Sequence, residues 1–368
     1  MCSCSPWKKL YTPSPKSPQR LLCLLSLLLP IAALAQHSAT DYDKRGNAKQ
    51  DKGDYDKAIR LDPKLAEAYA YRGLAKASND DFYGAIADYN QAIELNPKLA
   101  EAYAYCGFAK ASMDDFDGAI ADYNQAIELN PELAVAYAYR GSAKASKRNW
   151  DGAIADFTQV IHLNPKSAGV YFGRGNAKVN KRDFDGAIAD YDRSIELDSK
   201  RAEAYRNRGI AKAEKGESDG AIADYDEAVR LNSKDATGYI VRGIAKTYKD
   251  DFDGAIADYD RAAELNPEAT RAYYERGLAK AKKGNFDGAI VDYDESIRLN
   301  LKLAEACGEQ GLLKEGKGDR DGAIADNDKA VQHAPKVADA YYNRGLKAKK
   351  GDLQGAEADY ERAKRWGH

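Results

Sequence analysis

The chain has 368 residues, 44% hydrophobic and 31% charged, with a formal net charge of −2. That mixture belongs to an ordered protein rather than a disordered one, and no apolar run reaches the roughly 20 residues of a membrane span. The near balance of charge argues against a broad surface for nucleic acid or anionic membrane.

Residues 1–36 stand apart from everything that follows. Lys8, Lys9, Lys16 and Arg20 precede the apolar run LLCLLSLLLPIAALA, which closes with Ala33, Leu34 and Ala35 before Gln36. A basic stretch, an apolar stretch and an A-x-A ending predict a secretory signal over 1–35, cleaved after Ala35. Pro30 and the shortness of the apolar run speak against an uncleaved anchor. Export would place the mature chain in a periplasm or outside the cell. Removing four of the 56 basic residues and no acidic one leaves 52 against 58. Cys2, Cys4 and Cys23 depart with the signal, and Cys106 and Cys307 lie too far apart along the chain for an intramolecular bridge.

From residue 39 onward the sequence repeats. DGAI begins at 117, 151, 185, 219, 253, 287 and 321, always 34 residues after the last, so each period is one supersecondary unit. In residues 66–99, Ala66, Tyr69, Gly73 and Lys76 fall about one helical turn apart before Asn79 and an Asp-Asp pair break the pattern. A second helix starts from Asp81 as N-cap and carries Phe82, Ala85, Ile86, Tyr89, Ala92 and Ile93 on one stripe until Asn96 and Pro97 stop it. Two antiparallel helices per unit are expected. The small Gly73, Ala85 and Ala92 let them approach while Tyr69 and Tyr89 fill the space alongside. A single unit buries too little to stand alone, so its neighbours must supply the rest.

A glycine in the first helix with an aromatic four residues before it, then Ala, Tyr, Ala and Pro in the second at a 34-residue period, resembles the tetratricopeptide repeat. The resemblance implies an all-α, right-handed α-solenoid of about ten antiparallel helix pairs, the superhelix of that family. Its parts would be a shortened capping repeat at 36–65, eight 34-residue units over 66–337 and a closing repeat at 338–368. One departure recurs. The family usually places an apolar residue just before the first-helix glycine, whereas this chain has Arg45, Arg72, Arg140, Arg174, Arg208, Arg242, Arg276 and Arg344.

Those arginines explain the acid-rich motif DFDGAIADYD at 183–192 and 251–260. Arg72 with Asp88, or Arg174 with Asp190, predicts a ladder of ion pairs along the helix seam, with a lysine such as Lys76 one turn on. The first acid, Asp183 or Asp251, reads as an N-cap. A calcium loop needs glycine sixth and glutamate twelfth, and here Gly186 is fourth and Ser194 twelfth, so no metal or other cofactor is expected.

Irregular units punctuate the array. The repeat at 39–65 is seven residues short between Gly46 and Gly73, and Glu357 and Lys364 make the last helix polar, both as caps require. Unit 304–337 carries Cys307, Gln310, Arg320 and Asn327 in place of the usual tyrosine, arginine, aromatic and tyrosine, so it should open before its neighbours.

Specificity must lie at positions that vary. In the family the first helices line a concave groove that holds extended peptides or helices. There this chain offers Tyr71, Leu74, Tyr105, Phe108 and Tyr139, then Phe172, Asn176, Asn180, Arg206 and Asn207, then Ile240, Ile244 and Tyr248. The tyrosines read either as a recognition strip or as spacers between helices. Thr237 and Val241 stand where a carboxylate clamp would need cations, so tail binding of that kind is not expected. The four histidines show no metal spacing, and no phosphate loop or nucleophile motif occurs. The expectation is a non-catalytic scaffold for a protein or peptide partner. The alternative is a carbohydrate-binding or polysaccharide-export accessory protein whose exposed tyrosines stack on sugars.

Overall fold

The computed structural model describes residues 52–300 and 304–333, together with Glu361. The expected signal at 1–35, residues 36–51 of the short first repeat, the closing repeat 338–368 and the residues Arg45, Gly46, Arg344, Glu357 and Lys364 lie outside the described residues. Among the described residues every regular element is an α-helix, and no helix is long and apolar enough to cross a membrane. The chain divides into two compact units, one through Lys215 and one from Gly216.

The first unit holds α1 (Lys52–Leu61), α2 (Ala66–Ala77), α3 (Phe82–Leu95), α4 (Ala100–Ser112), α5 (Phe116–Leu129), α6 (Ala134–Ser146), α7 (Trp150–Leu163), α8 (Ala168–Asn180), α9 (Phe184–Leu197) and α10 (Ala202–Glu214). The second holds α11 (Ser218–Leu231), α12 (Ala236–Tyr248), α13 (Phe252–Leu265), α14 (Thr270–Lys282), α15 (Phe286–Leu299), α16 (Ala304–Gly316) and α17 (Arg320–His333).

Local chemistry fixes where these helices begin and end. The carboxylates of Asp81, Asp115, Asp183 and Asp251 accept the backbone N–H of the glycine three residues on, each at 2.9–3.0 Å. Asn149 and Asn285 do the same through their amide oxygens. Each cap contributes about 1 kcal/mol, and the first acid of DFDGAIADYD is therefore a cap. Its glycine follows from the cap, because a Cβ at Gly186 would overlap the Asp183 carboxylate. The preceding helix ends when the N–H of that same capping residue returns to a lysine carbonyl five residues back, as Asp81 does to Lys76 at 3.0 Å. The residue between takes positive φ and closes the turn. At the far end of α3, Asn96 accepts the N–H of Lys98 and Pro97 forbids continuation.

Within a repeat the two helices run antiparallel, since contacts move later along one as they move earlier along the other: Lys76 with Gly84, then Arg72 with Asp88. Close approach is possible only because the first helix carries glycine. A Cβ on Gly175 would lie 2.8 Å from Tyr191 Cε1. Tyr89, Tyr123 and Tyr191 are fully buried, as are Tyr225, Tyr259 and Tyr293 in the second unit. Within the first unit the core reaches from one repeat into the next. Ala85 and Tyr89 pack with Tyr105 and Cys106 of the next repeat, Tyr123 with Phe108 and Tyr139, and Tyr191 with Phe172 and Ala204.

A polar seam accompanies this core. Arg174 donates through Nε and Nη2 to both oxygens of Asp190, at 2.9 and 2.6 Å, and Lys178 Nζ lies 2.8 Å from the same carboxylate. Arg72 with Asp88, Arg140 with Asp156, Arg242 with Asp258 and Arg276 with Asp292 repeat the bidentate pattern. Hydrogen bonding to Asp88 and to Asp258 holds the guanidinium groups of Arg72 and Arg242 above their ordinary range. The expected ladder is present, and it reaches further than expected. Each remaining Nη1 donates to the preceding repeat, from Arg72 to Asp56, Arg140 to Asn124, Arg174 to Thr158, Arg208 to Asp192, Arg242 to Asp226 and Arg276 to Asp260. The seam thus ties repeats to one another as well as helix to helix. It is interrupted at Cys106, where Lys110 alone meets Asp122.

Candidate binding face

The expected aromatic strip is mostly inside the protein. Tyr105, Phe108, Tyr139 and Phe172 are buried, and each ring except Phe108 lies 5.9–6.0 Å from a second-helix tyrosine: Tyr89, Tyr123 and Tyr191 in turn. Phe108 packs on Tyr139 at 5.4 Å. These four side chains are spacers between repeats. The face of Tyr105 and Tyr139 is covered by the second helix of the preceding repeat, whereas Phe172 meets Tyr191 in the second helix of its own repeat and Phe108 packs on Tyr139 of the next. No stacking platform for a sugar is exposed at Tyr105 or Tyr139. Ile240 and Ile244 in the second unit are buried as well, so an apolar patch built on them does not reach the surface.

Tyr71 is only half-buried although it stacks on Tyr55 at 6.0 Å, and Leu74 beside it is also half-buried. Tyr248 is exposed at the C-terminal end of α12. It lies in the second unit.

α8 and α10 bring polar candidates together. The Oδ1 of Asn176 accepts the Tyr191 hydroxyl at 2.8 Å and the Asn207 Nδ2 at 2.8 Å. Asn207 is buried by this arrangement, so it supports Asn176 rather than facing outward. With its oxygen saturated, Asn176 has its amide nitrogen left to donate. Asn180, exposed, bonds back to the Asn176 carbonyl at 2.9 Å, and Arg206 is half-buried on the neighbouring helix. The sequence reading missed the contact with Tyr191. Its signal was that Asn176 stands where other repeats place Leu74, Phe108, Ile210 or Ile244, next to a tyrosine hydroxyl that is otherwise hard to satisfy. The hydroxyls of Tyr89, Tyr139 and Tyr293 are buried with no hydrogen-bond partner, whereas Thr247 approaches that of Tyr259 at 3.2 Å. Among the described residues no group of three His, Cys, Asp or Glu side chains is placed to hold a metal ion.

The family description "Tetratricopeptide repeat" matches residues 109–168, 172–236 and 241–300, and the description "TPR repeat" matches 77–114. The chain belongs to the tetratricopeptide-repeat family. A search of curated proteins finds no significant match. Among solved structures, a tetratricopeptide repeat protein from Parabacteroides merdae is 16% identical, with a TM-score of 0.54 over 67% of this chain and 98% of its own. The Cut9-Hcn1 hetero-tetramer of the APC/C is 14% identical, with a TM-score of 0.51 over 95% of this chain and 86% of its own. Both share the all-α tetratricopeptide fold. MamA is 33% identical, with a TM-score of 0.42 over 44% of this chain and 95% of its own.

Proposed function

We propose that this member is exported, with residues 1–35 removed, and that it is a non-catalytic scaffold holding a protein or extended peptide segment against the first-helix face of its first unit. The observation that carries the reading is the Asn176 cluster. Two donors saturate the Asn176 oxygen, which leaves its amide nitrogen to donate, with the exposed Asn180 on the same helix and the half-buried Arg206 on α10. Three donor groups along adjoining helices suit the carbonyls and carboxylates of an extended segment. Tyr71 and Leu74 supply a half-buried apolar contact elsewhere on the first helices of the same unit.

The test is selection of random peptides on the immobilised chain, followed by affinity measurement with Arg206→Glu and with Tyr71→Ser. Selected peptides are expected to lose at least about tenfold in affinity to Arg206→Glu, the scale of one charge-assisted contact. Peptides that bind both variants as tightly as the parent would place recognition elsewhere. For export, the first residue of the chain recovered from outside the cytoplasm is expected to be Gln36; an intact N-terminus would refute cleavage.

A further inference from the structure

The turns that join first and second helices form one edge of the first unit, and four of them in succession share an unusual feature. Asp80, Asp114, Arg148 and Arg182 all have positive φ, at 60, 63, 60 and 64°. Glycine serves the same position at Gly216, Gly284 and Gly318. The turn therefore needs only the backbone conformation, and a side chain there costs about 1 kcal/mol. All four side chains are exposed. Their charges run minus, minus, plus, plus.

The surroundings reinforce the acidic half, while in the basic half the positive charge rests on Arg148 and Arg182 themselves. Beside Asp80 and Asp114 stand the capping carboxylates Asp81 and Asp115. Beside Arg148 and Arg182 stand Lys147, paired to Asp117, and Lys181, paired to Asp151, together with the caps Asn149 and Asp183. Arg148 and Arg182 make no ion pair among the described residues, although Arg182 lies over the Phe184 ring at 5.8 Å. The lysine-to-aspartate rung that links neighbouring turns continues through Lys215 with Asp185, but the equivalent positions at the acidic end hold Met113 and Tyr83. Tyr83 is 79% exposed, three residues from Asp80.

We propose that this edge is a contact surface for a second copy of the chain, related by a two-fold axis passing between the turns of Asp114 and Arg148. Neighbouring turns are about 10 Å apart, the spacing of packed helices. A two-fold axis at that point lays Asp114 against Arg148 of the second copy and Asp80 against its Arg182, each pair occurring twice, as an isologous interface requires. It also brings Tyr83 to the guanidinium of Arg182, an aromatic face to a cation. The arrangement is self-complementary because the sign of the charge reverses at the axis. A row of one sign would repel its own copy.

The experiment is sedimentation equilibrium of the full chain at about 50 mM salt, where screening reaches no closer than about 10 Å, and at 1 M salt, where it falls to about 3 Å. Two double variants are compared with the parent: Arg148→Asp with Arg182→Asp, and Asp80→Arg with Asp114→Arg. Each introduces at one turn a residue the chain already carries at another, and circular dichroism checks that helicity is retained. The parent is expected to dimerise at low salt and weaken at high salt. Each double variant is expected to lose about 30-fold in association, and an equimolar mixture of the two should recover it as a heterodimer. A parent that stays monomeric at low salt overturns the proposal. So do variants that associate like the parent, and so does a mixture that fails to recover.

Discussion

Asp190→Asn removes one charge from the seam and leaves the shape of the side chain unchanged. The Asp190 side chain is 5% exposed, and its two oxygens receive Arg174 Nε, Arg174 Nη2 and Lys178 Nζ. Removing one partner of a buried ion pair costs about 3–5 kcal/mol. Here Arg174 and Lys178 keep 17% and 18% side-chain exposure, so partial hydration brings the cost to the lower end, about 3 kcal/mol. An array of repeats opens locally, and the measurement is therefore hydrogen exchange of the amides of α8 and α9 rather than a single melting curve. Exchange there should quicken about 100-fold, with the helices of 270–299 unaffected. The triple change Arg174→Met, Lys178→Met and Asp190→Leu should restore protection to within about tenfold, because an apolar replacement of a whole buried ionic group is nearly neutral. Less than about tenfold quickening in the single variant would show that the ion pairs do not hold the repeat together.

Gly175→Ala places a Cβ 2.8 Å from Tyr191 and should cost about 2 kcal/mol by overpacking, more than the helix propensity it gains; chemical denaturation showing a stabilised protein would contradict this. Arg148→Gly relieves a left-handed residue at φ 60° and should stabilise the first unit by about 0.5–1 kcal/mol, read as a higher denaturation midpoint. Burial pushes the Cys106 thiol up to about 12, so at pH 8 almost no Cys106 thiolate exists in the folded protein, and burial also raises that of Cys307. Alkylation must wait for local opening. Cys307 should react first, since its repeat has Arg320 and Asn327 in place of the second-helix aromatics; equal rates would refute the weakness assigned to that repeat.

The caps and the Arg–Asp pairing were legible because each is a relation between residues of one repeat at fixed spacing. Asp183 precedes its helix by one residue, and Arg174 meets Asp190 sixteen residues later. The second branch of each arginine, to Asp56 or Asp226 sixteen residues earlier, was equally regular. It was overlooked because it crosses into the preceding repeat. The same boundary left the tyrosines open between a recognition strip and spacers. Periodicity shows that Tyr105 and Tyr139 share a helix face, but not whether that face meets water or the next repeat, and Tyr89 and Tyr123 turn out to cover it. Asn176 differs from its counterparts in the sequence. Its hydrogen bond from Tyr191 depends on an inter-helix distance that no single helix pattern contains.

The central claim, that a partner segment lies along the first-helix face of the first unit, is tested most directly by site-specific photocrosslinking. A benzophenone side chain is placed at Asn180 or Tyr71 on first helices, and at Gln125 or Glu196 on second helices, and each variant is irradiated with a selected peptide. The account predicts crosslinks from Asn180 and Tyr71 and none above background from Gln125 or Glu196. Crosslinks mainly from the second-helix positions would contradict it.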